Sequence, residues 1–307
     1  MVSNRHIMEQ GPVLAALGRT ALLAAGQRFK KKAAGPPELP GPVLEATVQP
    51  RSAALVRAYI GEVGGDGRTW KGQVPPHMFP QWGFGLAAGT LKDLPYPLMK
   101  VVNGGCRLEI NAPLPDDAPL HVSAQLASID DNGRRAVIEQ IVTTGTAEAP
   151  DALVARMFPI VVYGGRGEKG AEKGGEKAGE RERPSVPLDA VEVTRWKIPA
   201  SAGLDFARLT GDFNPIHWIP AYARASGFKN TILHGFATLA RAYEGLNQNL
   251  FAGASPIDTF DVRFTSPLIL PANVGLYIRR EGGEVFVGDA PGGRVYMMGT
   301  YTTRQER

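Results

Sequence analysis

The sequence predicts an α+β protein of two tandem units, each an antiparallel sheet wrapped around a central helix, the pair related by a pseudo-twofold. Three observations carry this reading. Strand-like segments dominate both halves, each half holds one apolar helix-like segment, and the halves repeat one another in order and spacing. An apolar helix beside half-buried strands must be covered by them, and a sheet that curls about the helix satisfies both. With 307 residues, 43% of them apolar and 21% charged, the chain can form two such cores.

Taken in order, residues 1–37 read as an N-terminal extension, an amphipathic helix whose basic end is Gln27-Arg28-Phe29-Lys30-Lys31-Lys32. Its apolar stretch, Val13 to Ala25, is too short to span a membrane and is broken by Gly18-Arg19-Thr20, which also makes a poor signal peptide. Residues 38–163 form the first unit. There Val74 to Pro80 opens a helical segment through Trp82, Phe84 and Leu86. Leu120, Val122, Ala124 and Leu126 alternate with polar residues as in a half-buried strand, and Asp131-Asn132-Gly133 suits a tight hairpin. Ala136 to Thr144 and Leu153 to Tyr163 complete the unit. Residues 164–185 are a charged, Gly-rich linker in which Glu168, Glu172, Glu176 and Glu180 recur beside Lys169, Lys173 and Lys177. With no large apolar residue to bury, that run reads as a solvated tether.

Residues 186–307 form the second unit. Thr231 to Ala237 opens a helix with Phe236, Leu239, Ala240, Tyr243, Leu246 and Leu250 at helical spacing, stopped by Gly253. Strands follow at Asp258 to Thr265, Val274 to Arg280, Val285 to Gly288 and Val295 to Thr302. The repeat is visible in the landmarks. Arg107 lies thirty residues after His77, Arg263 lies twenty-nine after His234, and each arginine precedes a Pro-Leu pair.

A net charge of +4 attracts small anions but is not the dense basic surface of a nucleic-acid binder. The single cysteine, Cys106, excludes an intrachain disulfide framework and a Cys-rich zinc site, and suits a reducing cytoplasm. His6 and His121 read as surface residues.

The chemistry concentrates between Gly203 and Arg224. Gly211, Asn214 and Pro215 predict a sharp bend after a short helix, so Asp212, Asn214 and His217 sit on one turn, close enough to converge. An acid, an amide and an imidazole together are what a general acid/base site requires. His234-Gly235-Phe236 then falls at a helix start. First-turn N–H groups there have no internal partner, and glycine lets a ligand approach the backbone. An oxygen gaining negative charge would be stabilised at such a point. The plainer readings are a structural Asp212–His217 ion pair, or metal ligation with Asn214. The chain has only five histidines and no further cluster at ligand spacing, and Asn is a weak zinc ligand, so a metal is disfavoured. For His234, fixing the turn is favoured over proton transfer.

The run Phe206-Ala-Arg-Leu-Thr-Gly-Asp-Phe-Asn-Pro-Ile-His217, with Ala223 and then His234-Gly235-Phe236, resembles the signature of the (R)-specific enoyl-CoA hydratases and MaoC-like dehydratases. The helix-then-strands order of both halves is similar to the double hot-dog form of the larger members. The resemblance implies Asp212 and His217 as catalytic residues and Asn214 as their positioning partner. It places His234, Gly235 and Phe236 with Asn214 on the substrate-binding side, the Gly235 amide meeting the thioester oxygen. It implies no metal and no redox cofactor. The expected reaction is reversible hydration of a trans-2-enoyl thioester to a (3R)-hydroxyacyl thioester, on coenzyme A or an acyl carrier protein, in the cytoplasm, and a homodimer is left open. A thioesterase, or a non-catalytic acyl-thioester binding protein, is the rival. The first half lacks the motif. It offers Gly65-Asp66-Gly67 without Asn-Pro, and Met78 follows His77 where Gly235 follows His234. Met78, Phe79, Trp82 and Phe84 are equally readable as an acyl tunnel or as ordinary core.

Overall fold

The computed structural model describes residues 2–11, 37–92, 94–97, 101–163, 184–279 and 281–304. The strands are β1 (Leu44–Val48), β2 (Val101–Ile110), β3 (Leu120–Asp131), β4 (Arg135–Gly145), β5 (Leu153–Val162), β6 (Val191–Ile198), β7 (Ile257–Phe264), β8 (Ala272–Arg279), β9 (Glu284–Gly288) and β10 (Val295–Thr303). They join in one antiparallel sheet of order β1-β3-β4-β5-β2-β7-β10-β9-β8-β6. Each half contributes five strands in the same relative order, and the halves meet along β2 and β7. At that seam Gly105 pairs Arg263 and Arg107 pairs Asp261, with Cys106 opposite Val262 between them. Exchanging the two halves maps one pair onto the other, so the pseudo-twofold passes between Cys106 and Val262.

The helices are α1 (Arg5–Met8), α2 (Ala53–Glu62), α3 (Pro80–Thr90), α4 (Ala202–Thr210), α5 (Pro220–Ala225) and α6 (Gly235–Leu250). Helices α2 and α4 are counterparts, as are α3 and α6. Ser52 starts α2, its hydroxyl accepting the Leu55 amide at 3.1 Å. Gly211 ends α4 at φ +82°, a left-handed cap that glycine adopts without penalty. Helix α6 is central. Its Leu239, Ala240, Ala242, Tyr243 and Leu246 are fully buried, in a core that runs through both halves without a break. Each leucine so buried contributes roughly 1.5–3 kcal/mol. The fold is α+β, of the hot-dog kind.

Some expectations fall outside the described residues, and the reading of His6 needs correction. The N-terminal helix is Arg5–Met8 among the described residues, and the rest of its predicted span, 12–36, lies outside them. His6 is 1% exposed because α1 docks on α4, whereas His121 is exposed as read. Met78, Phe79 and Trp82 are packed core, at most 5% exposed, the second of the two readings. The charged linker lies outside the described residues from 164 to 183.

Candidate active site

The turn after α4 is built locally. Gly211 reverses the chain and Asp212 follows at once. The Asp212 carboxylate accepts the Asn214 amide at 3.3 Å, while the Asn214 side chain accepts the Ile216 amide at 3.3 Å and caps the short 3₁₀ turn Pro215–His217. Asn214 is therefore a loop-shaping residue: its backbone holds the carboxylate and its side chain holds the turn that delivers His217. Thr210 steadies the helix end by donating to the Phe206 carbonyl at 2.9 Å.

His217 is buried, and its Nδ1–H donates to the Ile232 carbonyl at 2.8 Å. That bond fixes the tautomer and leaves Nε2 with a lone pair. His234 stacks on it, ring centroids 3.5 Å apart and planes 23° apart. The His234 Nε2–H donates to the Asp212 backbone carbonyl at 3.0 Å, so this imidazole ties the Asp212 loop to the start of α6. Burial lowers the His217 pKa, with the Asp212 charge opposing. Burial, and then the neighbouring His217, push His234 down to about 3. Both shifts favour the neutral rings, and the one N–H of neutral His234 is held by the Asp212 carbonyl. Asp212 differs in being open, with 28% of its side chain exposed.

Gly235 is the first residue of α6 and half-buried, its amide among the first-turn donors with no acceptor inside the helix. A Cβ at this position would lie 2.8 Å from the Phe264 ring, so any side chain would have to push that ring aside. Phe236 points into an aromatic group, its ring 5.5 Å from Phe79, 5.0 Å from Phe84 and 6.1 Å from Phe264. Of the proposed tunnel residues, Phe84 alone stays half-buried beside this group. The ligand-type atoms of Asp212, His217 and His234 all lie within 4.8 Å of one another. They fit a metal poorly. Stacked imidazoles hold their in-plane lone pairs side by side rather than converging on one point.

The first half contains a counterpart that sequence reading missed. Gly64 ends α2 region at φ +82°, as Gly211 ends α4. One residue on, Gly65 stands against Asp212; six on, Trp70 stands against His217; and His77 stands against His234. The Glu244 carboxylate, from α6 of the other half, fills the space. It accepts from Trp70 Nε1 at 2.6 Å, and one of its oxygens lies 3.0 Å from His77 Nε2. A Cβ on Gly65 would sit 2.6 Å from the Glu244 carboxyl carbon. The only sequence signal was a glutamate in an otherwise buried helix.

An antiparallel sheet around a central helix, with an acid, an imidazole and a helix start brought together at one end, defines a hot-dog protein. Comparison with known proteins places it further: residues 181–290 match the family described as MaoC like domain, and the chain carries a MaoC-like dehydratase domain. It is 31% identical over 168 residues to an enoyl-CoA hydratase of Mycobacterium tuberculosis, covering 54% of this chain and 56% of that one. It is 27% identical over 201 residues to the peroxisomal multifunctional enzyme type 2 of Mus musculus, covering 64% of this chain and 27% of that one. The chain thus spans about half or less of these relatives' length. Among solved structures, HtdX of Mycobacterium tuberculosis superposes with TM-score 0.65 at 21% identity, covering 85% of this chain and 100% of that one. A MaoC-like dehydratase from Phytophthora capsici gives 0.66 at 20%, covering 86% and 96%. At these identities the likeness concerns the fold.

Proposed function

We propose that the chain reversibly hydrates trans-2-enoyl thioesters to (3R)-hydroxyacyl thioesters. The observation that carries this is the convergence of an open carboxylate, Asp212, and a lone-pair nitrogen, His217 Nε2, at the loop that His234 ties to the start of α6, where the half-buried Gly235 offers its amide. The thioester oxygen accepts the Gly235 N–H, which draws electrons from the conjugated double bond and makes C3 electrophilic. Asp212 and His217 hold one water. Its oxygen bonds to C3, one of its protons goes to the pair, and a proton from the pair is delivered to C2, so the net change is addition of one water. His234 keeps the Asp212 loop against α6, and Asn214 sets the loop's shape. The names of the relatives, enoyl-CoA hydratase and, for a 33%-identical stretch of 105 residues, 3-hydroxyacyl-thioester dehydratase, support the reaction class. Coenzyme A or an acyl carrier protein would present the acyl group, in the cytoplasm. No helix among the described residues is long and apolar enough to cross a membrane.

The test is hydration of crotonyl-CoA followed at the enoyl absorbance. Asp212→Ala and His217→Ala should each lose about 10²–10⁴-fold in kcat. Either variant keeping most of the rate would reject the assignment, and release of free thiol in place of hydration would assign a thioesterase instead.

A further inference from the structure

The segment before the first unit has no part in the reaction just proposed, yet its described residues are pinned to the helix that presents Asp212. Gln10 is fully buried. Its Nε2 donates to the carbonyls of Arg208 at 3.3 Å and Leu209 at 3.1 Å. These are last-turn carbonyls of α4, which lack intrahelical partners, and Leu209 is three residues before Asp212. The Gln10 carbonyl in turn accepts from Gln81 Nε2 at 3.1 Å, and Gln81 accepts from Arg51 Nε at 2.5 Å. Gln81, on α3 of the first half, is also fully buried. A second tie lies one turn earlier. The Val2 amide donates to Asp205 at 2.9 Å, and Arg208 reaches both Asp205 at 3.0 Å and the Val2 carbonyl at 3.2 Å.

We infer that residues 2–10 are a strap that positions the catalytic loop, with Gln10 as the positioning residue that locks the end of α4 to the first half. The inference rests on Asp212 acting as proposed above. The physical reason is leverage. The end of α4 is followed by a glycine hinge and then by the carboxylate, so an unsatisfied, fraying last turn would let Asp212 drift from the water it shares with His217. An amide side chain bonded to two of the orphan carbonyls, and itself oriented by a second amide, removes that freedom. Gln10 touches no reacting atom.

A built-in control sits in the other half. Gln140, 2% exposed, donates to the Ala87 carbonyl at 2.6 Å and the Thr90 hydroxyl at 2.6 Å, closing the end of α3 with the same chemistry. The experiment compares Gln10→Met with Gln140→Met in the full chain. Methionine keeps the length and removes the donor. Gln10→Met should lower kcat about five- to tenfold with KM changed less than about twofold. Amide hydrogen exchange should quicken over residues 203–217 and not over 53–62. Gln140→Met should lower the melting temperature and leave kcat as it was. Wild-type kcat in Gln10→Met, or equal losses of kcat in both variants, would overturn the inference. Should Gln10→Met fail to fold, Gln81→Met, which removes the donor orienting Gln10 together with the acceptor of Arg51, carries the same expectation at smaller size. If Asp212→Ala keeps its activity, the reaction assignment fails by itself. The exchange measurement then still decides the strap: faster exchange at 203–217 upholds it and unchanged exchange ends it.

Discussion

The two halves build one scaffold and use it in opposite ways. In the second half Phe206 lies 5.0 Å from His234, and His217 lies 3.5 Å from it. In the first half Tyr59 lies 5.6 Å from His77, and Trp70 lies 5.9 Å from it. Each half then adds one carboxylate. Asp212 comes from the loop of its own half and stays open to solvent. Glu244 crosses from the other half and is sealed, with no exposed surface. Closed off from the surface, this carboxylate serves as a bolt between the halves. The proton count shows how tight the bolt is. The Tyr59 hydroxyl donates its single proton to the His77 carbonyl at 2.8 Å, so His77 Nδ1–H must donate back to that hydroxyl at 3.1 Å. One proton therefore remains to bridge His77 Nε2 and Glu244.

Cutting this bolt should have the largest effect on the comparison. Glu244→Ala leaves Trp70 Nε1 and His77 Nε2 buried without their partner, and should cost about 3–5 kcal/mol of stability by urea titration. Glu244→Gln should cost less, because its carbonyl oxygen can take the place of the Glu244 oxygen that meets both Trp70 Nε1 and His77 Nε2. Equal losses for the two variants would mean that packing, not polar pairing, is what Glu244 supplies.

The second difference is titration. His217 and His234 are held neutral by burial, so below their ordinary value of 6.5 the unfolded chain binds protons that the folded chain refuses. Stability is then full above pH 6.5, falls as pH drops through it, and keeps falling toward the folded-state value, about 3 for His234. At pH 5 His234 alone should cost about 2 kcal/mol relative to pH 7. Unfolding curves at the two pH values check this, and His234→Phe, which cannot titrate, should lose that part of the slope. The same lowering of His217 keeps its Nε2 basic in mild acid, so the acid limb of kcat/KM should fall below pH 6.5.

Gly235 opens α6, whereas its counterpart Met78 ends a short 3₁₀ turn two residues before α3, and Gly235→Ala asks whether the glycine matters. The added Cβ meets the Phe264 ring at 2.8 Å, and about a tenfold loss of kcat is expected if the amide shifts from the developing oxyanion. An unchanged kcat would remove Gly235 from the mechanism.

What could be read from sequence follows from how local each feature is. The Asp212 loop was legible because Gly211, Asn214 and Pro215 set its bend within a few residues. The hairpin at Gly133 was legible likewise, since its φ of +80° suits glycine. Strands β1 and β6 were missed because both are sheet edges with mostly exposed or half-buried residues, so little alternation marks them. Glu244 and Gln10 were invisible for a different reason. Their partners lie 167 and 199 residues away, at His77 and Leu209, and only the closed fold brings them together. His6 was misread as a surface residue on the same account, since docking of α1 on α4 buries it.

The seam between β2 and β7 offers the smallest and most local test of the symmetry. The pseudo-twofold sets Arg107 against Arg263, yet their cross-strand neighbours differ. Arg107 faces Asp261 and bonds it at 3.4 Å, with Glu109 on its own strand at 2.8 Å. Arg263 faces Gly105, which has no side chain to meet it. The Arg107 pairs are partly open to solvent, so screening limits them to about 0.2–1 kcal/mol. Arg107→Ala should therefore cost within that range at low salt and less at high salt, while Arg263→Ala should cost close to nothing at either. A double-mutant cycle with Asp261→Ala isolates the pair. Equal costs for the two arginines would mean that the seam is held by its backbone ladder alone, and that the asymmetry of the two halves begins only at their loops.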